Sequence, residues 1–394
     1  MKSLLPAFAL LLGLTPMMDG QTALSTATPA AGGPALGLMQ RAWKDAQAHG
    51  AVVKPVLSPE DRLVLDGTVP LPALEAAGFR VVPWTTNDPE MMRKLIRMGV
   101  NGVISDRPDL LQKVLAEERV ASTTNTQRRY LDEFDVAAHR GGRGLRPENT
   151  LPSFESGMDQ LATTLETDTG VTTDHVSLIS HDQFLHPDSC RRADGTPYTM
   201  ENRMFVRDIS MTDAQRMFIC DKLHARFPDQ RNDLSLSPVA IAFAAKEGMP
   251  SPYAPTNAGQ LFRFVKFYTE WYGAGGAGAG MAHAAERSAN AAKVRFNLET
   301  KILPDGFPGT TMPPHPGLEP NHTVGPQLFV DTLVGAVKRE GMTERAEIQS
   351  FDFRTLLLVQ AQHPELPTYY LVEDLPILST SFAPEPLRLP AAAK

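Results

Sequence analysis

Residues 79–108 read "FRVVPWTTNDPEMMRKLIRMGVNGVISDRP". A β-branched run at 81–85, a helical pattern at 89–98 and a second apolar run at 102–105 follow one another, with Trp84, Thr85 and Asn87 gathered where the first run stops. That is one βα unit of a parallel sheet, and the same rhythm continues along the chain. Further strands are predicted at 136–140, 163–168, 176–181, 294–300, 347–351 and 368–372, with helices at 38–49, 109–117, 151–161, 257–271, 326–340 and 353–362. Eight strands with interleaved helices predict an α/β fold, the TIM (β/α)8 barrel. The run at 51–56 is interrupted by Pro55 and reads as an irregular connection.

The chain has 394 residues, of which 42% are hydrophobic, enough for a sizeable core. A formal net charge of −7 argues against a general nucleic-acid binder, so any anionic ligand must be held by local cations. One Lys precedes an apolar run at 4–14, and Ser25 and Ala27 follow at a spacing that suits a signal peptidase. A signal peptide over 1–27 is therefore expected, with export to the periplasm or the medium. The run is too short to span a bilayer and no Cys follows it, so no stable membrane anchor is expected. Residues 28–37 read as a linker and 381–394 as a Pro/Ala-rich tail. Cys190 and Cys220 lie in the exported part and form a candidate disulfide, two buried free thiols being the alternative.

In a TIM barrel, chemistry sits at the C-terminal ends of the strands. There the chain places His139 and Arg140, Glu166 and Asp168, His181 and Asp182, and Glu299 and Lys301. Side chains at i and i+2 share a face of a strand, so Glu166 and Asp168 point to the mouth together while Thr167 faces away, and Glu299 pairs with Lys301. Three converging carboxylates need a cation among them, and all-oxygen ligands favour one divalent ion, Ca2+ or Mg2+, over zinc. Two histidines at the ends of separate strands supply a proton acceptor and a proton donor, which suits phosphodiester cleavage. Arg140, Arg143 and Arg146 provide positive charge beside that centre.

The blocks "HRGGRGLRPENTLPSF" (139–154), "LETDTGVT" (165–172), "LISHD" (178–182) and "FNLETK" (296–301), followed by "QSFDFRTL" (349–356), resemble in that order the signatures of the glycerophosphodiester phosphodiesterase family. The resemblance implies a barrel of the phospholipase-C-like phosphodiesterase type in which His139 and His181 are the acid/base pair and Glu166, Asp168 and Glu299 bind the metal. It further implies that Arg140 and Lys301 contact the phosphate and that Glu148 and Asn149 of "PENT" order the site; Trp84 is a candidate pocket wall. Residues 81–105 resemble the family's last two barrel strands, and "YYLVED" (369–374) its sixth. The expected domain is thus a single barrel over 38–380, with strands 7–8 in 38–118, strands 1–6 in 136–374, and 119–135 joining the usual termini. A tandem protein with a partly lost domain, a circular permutation, or a mis-assembled or artificial reading frame would each alter strand order. Because every strand occurs once, permutation is the reading adopted.

The stretch 183–293, between the third and fourth predicted strands, is too long for an ordinary connection and predicts an inserted cap. Its aromatic portion "LFRFVKFYTEWYG" (261–273) reads as core or cap packing, "AGGAGAG" (274–280) as a flexible linker, and His186, Cys190 and Arg191 as residues that either shape specificity or fill surface or turn positions. Asn321 begins a glycosylation sequon. The expected activity is metal-dependent hydrolysis of small-molecule glycerophosphodiesters to sn-glycerol 3-phosphate and an alcohol. The alternatives are phospholipase D-like cleavage of lysophospholipid or sphingomyelin head groups, favoured by an apolar cap, and an inactive barrel used as a binding protein.

Overall fold

The computed structural model describes residues 33–302, 322–373 and 383–389. The run at 4–14 and the Asn321 sequon lie outside them. In chain order the strands are β1 (Val56–Pro59), β2 (Gly102–Ser105), β3 (Asp135–Ala138), β4 (Thr164–Val171), β5 (Ser177–Ile179), β6 (Arg191–Arg192), β7 (Phe218–Ile219), β8 (Arg295–Thr300), β9 (Ala346–Ser350) and β10 (Thr368–Val372). Seven of them run parallel in the spatial order β1-β10-β9-β8-β4-β3-β2.

Residues 81–84 close the ring. They bridge in parallel to Leu57 of β1 at Val81 and to Glu60 just after it at Trp84, and on the other side accept from Asn101 N (2.8 Å to Val81 O) and Ile104 N (2.9 Å to Pro83 O). Pro83 has no N–H to donate, so this stave pairs through isolated bridges. The fold is a TIM-barrel-like α/β architecture.

Two strand assignments are corrected. The eighth stave is Val56–Pro59, in the region read as irregular: Pro55 falls just outside it, Pro59 ends it, and all four residues are buried. The run at 176–181 is not a stave. The chain leaves β4 at Val171 and enters β5 at Ser177, and so few residues cannot make the crossover of a dozen or more that a parallel partner needs. β5 therefore turns back as a hairpin on the overhanging end of β4, with Thr169 opposite Ile179 and Val171 opposite Ser177. Three staves thus precede β3 in the chain, and five run from β3 to β10.

The reading of the flanks also changes. Gly33–Ala48 is a helix, so the stretch read as a linker is helical from Gly33 onward, and Ala35, Leu38, Met39 and Ala42 are buried. Residues 383–389, read as tail, pack on that helix, where Arg41 Nε donates to Leu387 O and Leu387 is fully buried. Residues 119–135 form the connector to β3 that the sequence predicts, with Thr124 capping the helix Asn125–Asp132.

The insertion after β5 divides into two parts. Its first part holds the β6–β7 ribbon and the Cys190–Cys220 disulfide, around a small apolar core that includes Leu185, Tyr198, Val206, Met211 and Phe218. Its second part is barrel wall: the helix Ala258–Tyr272 buries Leu261, Phe262, Phe264, Val265 and Tyr268, and Phe262 meets Phe296 of β8 edge to face at 4.8 Å. The aromatic segment is core, not a lid. The glycines after it make consecutive tight turns rather than a flexible linker: Gly278 N donates to Trp271 O, and a Cβ on Gly276 would sit 2.2 Å from Glu270 O.

The disulfide closes a loop with a sequence separation of 30. A cross-link of that span removes loop entropy from the unfolded chain equivalent to about 3–4 kcal/mol. Replacing both cysteines with alanine is expected to lower stability by about that amount in denaturant titrations, or by less if the first part of the insertion melts separately.

Inside the barrel one half is apolar, with Val56, Val82, Ile104, Ala137 and Tyr369 packed together. On the other half each strand carries polar residues inward at every second position. The floor is an ion cluster, in which Arg295 meets Asp135 at 2.7 Å and Glu347 at 3.4 Å. Above it lie Asn297 and Gln349, and at the mouth Glu166, Asp168 and Glu299.

Candidate active site

Register delivers the carboxylates. β4 and β8 are hydrogen-bonded neighbours with Asp168 directly opposite Glu299, and Glu166 lies two residues below Asp168 on the same face. One oxygen from each of Glu166, Asp168 and Glu299 falls within 4.8 Å of the others, and all three residues are buried. Lys301 Nζ donates to Glu299 Oε1 at 2.9 Å and stands 3.8 Å from Asp168. Burial pushes the Glu299 carboxyl up to about 7 against the pull of Lys301, and burial together with the neighbouring Asp168 charge raises Glu166. Asp168 is held well below the usual carboxylate range: burial opposes its charge, but Arg140, His181 and Lys301 outweigh that. Three clustered carboxylates beside two cations form an all-oxygen donor set that fits a divalent metal ion.

The first-strand loop frames this centre. After Ala138 the chain turns through His139–Gly141, with Arg140 at φ 50° and Gly141 at φ 82°. A Cβ on Gly141 would lie 2.8 Å from Phe154 N, so the turn requires glycine there. The turn aims Arg140 N at Glu166 Oε2 (2.8 Å) and its guanidinium at Glu148 (3.0 Å) and Asp168 (3.2 Å). A left-handed residue other than glycine is uncommon, and Asn149, at φ 57°, is another at the same site. Asn149 donates to Asp168 Oδ2 at 3.0 Å and accepts from Thr167 Oγ1, so Thr167 faces away from the cluster as predicted yet locks the residue that braces it. Glu148 is stretched between Arg140 and Arg143, which hold it down to about 2 despite its burial.

His139 is positioned by a residue the strand reading passed over. Its Nδ1 lies 2.6 Å from Asp106 Oδ1, at the end of β2. Arg143 Nε donates to the same oxygen at 2.6 Å, Asn87 Nδ2 donates to Asp106 Oδ2 at 2.8 Å, and Asp106 N donates back to Asn87 Oδ1. Burial disfavours the Asp106 charge, but His139 and Arg143 hold its pKa far below the usual value, so it is an acceptor only. The imidazole proton therefore sits on Nδ1, which leaves Nε2 with its lone pair, 3.9 Å from Glu166. Burial and then Arg143 push His139 down to about 4. Gln349, also unassigned from sequence, donates to Glu166 Oε1 at 2.7 Å.

His181 ends the β5 hairpin instead of a barrel strand, yet it reaches the same mouth. It pairs with Asp182 at 3.2 Å and shares a shallow cleft with Glu148, Asn149, His186, Ser189 and the disulfide. Burial, then Arg140 and Lys301, lower its pKa. Trp84 is not a free wall: its Nε1 donates to Ser58 O and its ring meets Phe351 edge-on at 5.4 Å, so it braces the rim. His186 lines the cleft, whereas Arg191 is exposed and paired with Asp221. Two imidazoles, a carboxylate cluster suited to a divalent ion and two cations, Arg140 and Lys301, can together move protons and neutralise charge on a phosphoryl group.

The chain matches the glycerophosphoryl diester phosphodiesterase family over residues 21–110 and 139–247. It is 50% identical over 50 residues, or 13% of its length, to the lysophospholipase D GDPD3 of Mus musculus, and that alignment covers 15% of the relative. Its fold is similar to an Oleispira antarctica phosphodiesterase solved with the product sn-glycerol-3-phosphate (TM-score 0.35, 16% identity, 59% of this chain and 64% of that one). A second structural match is the glycerophosphodiester phosphodiesterase of Agrobacterium tumefaciens (TM-score 0.33, 12% identity, 59% and 64%). The chain thus spans a small fraction of the curated relatives it matches.

Proposed function

Because the chain belongs to the glycerophosphoryl diester phosphodiesterase family, we propose that it is a metal-dependent phosphoric diester hydrolase that converts glycerophosphodiesters to sn-glycerol 3-phosphate and an alcohol. One observation carries the reading: the buried Glu166, Asp168 and Glu299 lie within 4.8 Å of one another beside His139. These residues would hold one Ca2+ or Mg2+ ion, which would supply a Lewis acid for a non-bridging phosphate oxygen. His139, with Nε2 free, accepts the proton of the attacking hydroxyl, and His181 donates one to the departing oxygen. Arg140 and Lys301, already fixed by carboxylates, stabilise charge on the phosphoryl group without rearranging.

The phospholipase D-like alternative would draw on an apolar cap. The aromatic helix, read from sequence as core or cap packing, is barrel wall, which favours the soluble diester. A binding protein on a dead barrel would have no need of both histidines and all three carboxylates. The Cys190–Cys220 bridge agrees with export under a signal peptide at 1–27. Matching the family in two blocks, one on either side of the 119–135 connector, agrees with a circular permutation that opens the barrel after its fifth stave instead of its sixth.

The test is turnover of sn-glycero-3-phosphocholine, with and without EDTA. Release of glycerol 3-phosphate that EDTA abolishes and Ca2+ or Mg2+ restores is expected; undiminished turnover in EDTA would sink the assignment. The pH profile gives a second check. The base form of His139 exists above its pKa and is lost below it, so with saturating metal no fall in kcat/KM from loss of the base is expected at the ordinary histidine value of 6.5.

A further inference from the structure

The insertion lays one loop across the mouth. Gln230, buried, donates through Nε2 to the carbonyls of Arg143 (2.7 Å) and Arg146 (3.2 Å) and accepts from His224 N, while Arg231 N donates to Leu145 O. These bonds tie the loop to the turn that carries His139. Between the tie points stands Phe227, whose ring takes the Arg143 guanidinium at 5.3 Å and the Arg226 guanidinium at 4.8 Å. Since each guanidinium is about 5 Å from one ring centre, Arg226 lies within about 10 Å of the arginine that holds Asp106 and Glu148.

Three other arginines of this region are neutralised in place. Arg143 pairs with Asp106 and Glu148, Arg107 with Asp109 and Asp229, and Arg191 with Asp221. Arg226 has no carboxylate partner among the described residues, and the charges acting on it are those of the mouth: Arg143 first, then Glu148, Asp106 and Arg140. Lys222, four residues earlier, is likewise without a carboxylate; its Nζ donates to Pro187 O, in the loop that lines the His181 cleft. Between the two stands His224, bonded to Ser189 on the cleft wall. In a chain of net charge −7, Arg226 and Lys222 flank the entrance to a cleft where Arg140 and Arg143 are already committed to carboxylates. An anion placed there gains attraction from both, and it relieves the repulsion between Arg226 and Arg143.

We propose that Arg226 and Lys222 form a subsite for a second anionic group on the substrate, so that the favoured phosphodiesters carry a further phosphate or carboxylate beyond the scissile phosphate. The subsite rests on the phosphodiesterase reading. Its test compares kcat/KM for bis(glycerophospho)glycerol, which carries a second phosphate, with glycerophosphoglycerol, which is neutral there, and glycerophosphocholine, which is cationic. At low salt the second phosphate is expected to give a preference of about 10-fold, shrinking at high salt. Arg226→Glu and Lys222→Glu should each remove most of that preference while leaving kcat for glycerophosphoglycerol within about two-fold. The monoacyl form of the same diester separates a lipid source from a soluble one.

Equal rates on all three diesters, or a preference unchanged in both variants, would overturn the subsite. Calorimetric binding of bis(glycerophospho)glycerol to the His139→Ala protein, with and without Arg226→Glu, reads the subsite without turnover. If no diester is cleaved the phosphodiesterase reading fails, and the calorimetry still decides this one: binding weakened about 10-fold by Arg226→Glu supports it, and unaltered or absent binding overturns it.

Discussion

His139→Ala is expected to lower kcat on glycerophosphocholine by about 10³-fold, in the middle of the range that one positioned acid/base group contributes. The expectation follows from the tautomer. Asp106, ionised, accepts a hydrogen bond from Nδ1–H at 2.6 Å and has no proton to donate, so the Nε2 lone pair is the only basic atom the ring offers toward Glu166. Asp106→Asn should then be nearly as damaging, about 10²-fold, because an amide nitrogen donating to Nδ1 would move the imidazole proton to Nε2 and turn the base into a donor. Added imidazole should rescue His139→Ala in part and leave Asp106→Asn unaffected. Metal binding should survive both changes, since neither side chain belongs to the carboxylate cluster. If Asp106→Asn retained full kcat, the positioning role would be wrong even with His139 essential.

Asp106 also shows where sequence reasoning stopped short. Glu166, Asp168 and Glu299 were legible because strand parity is local: i and i+2 share a face wherever a strand is recognised. The same rule would have found Asp106, one residue past Ser105 at the end of a correctly predicted strand. Gln349 offered no such signal, since a neutral amide at a strand end does not announce a carboxylate partner 183 residues away. The exchange of β1 for β5 has a clearer cause. Two prolines disguised a buried stave, whereas β5 had the β-branched composition of one. Only chain length, too short between Val171 and Ser177 for a crossover, told them apart. The rim loop could not be placed at all without long-range contacts such as Gln230 to Arg143, 87 residues apart. Length suggested a cap, but which part of the insertion was cap and which was wall depended on what Phe262 packs against.

Glu299→Gln is expected to abolish measurable turnover and, in thermal melts, to change sign with metal. Burial and the Asp168 charge raise the Glu299 carboxyl to about 7 although Lys301 opposes them. A carboxyl raised above its unfolded value contributes stability that is complete below about 4.5 and is lost as pH rises through about 7. At pH 8 in EDTA the wild type therefore carries a penalty of about 3 kcal/mol that the glutamine variant lacks, and the variant should melt higher. At pH 5 the difference should nearly vanish. Adding Ca2+ or Mg2+ should reverse the order: an ion at a hundred times its Kd stabilises the wild type by about 2.7 kcal/mol, while the variant, with one anionic ligand removed, gains little. The two melting curves should thus cross on adding metal. A variant that melted below the wild type in EDTA at pH 8 would mean that Lys301 already neutralises Glu299, and that the three carboxylates do not form a centre waiting for a cation.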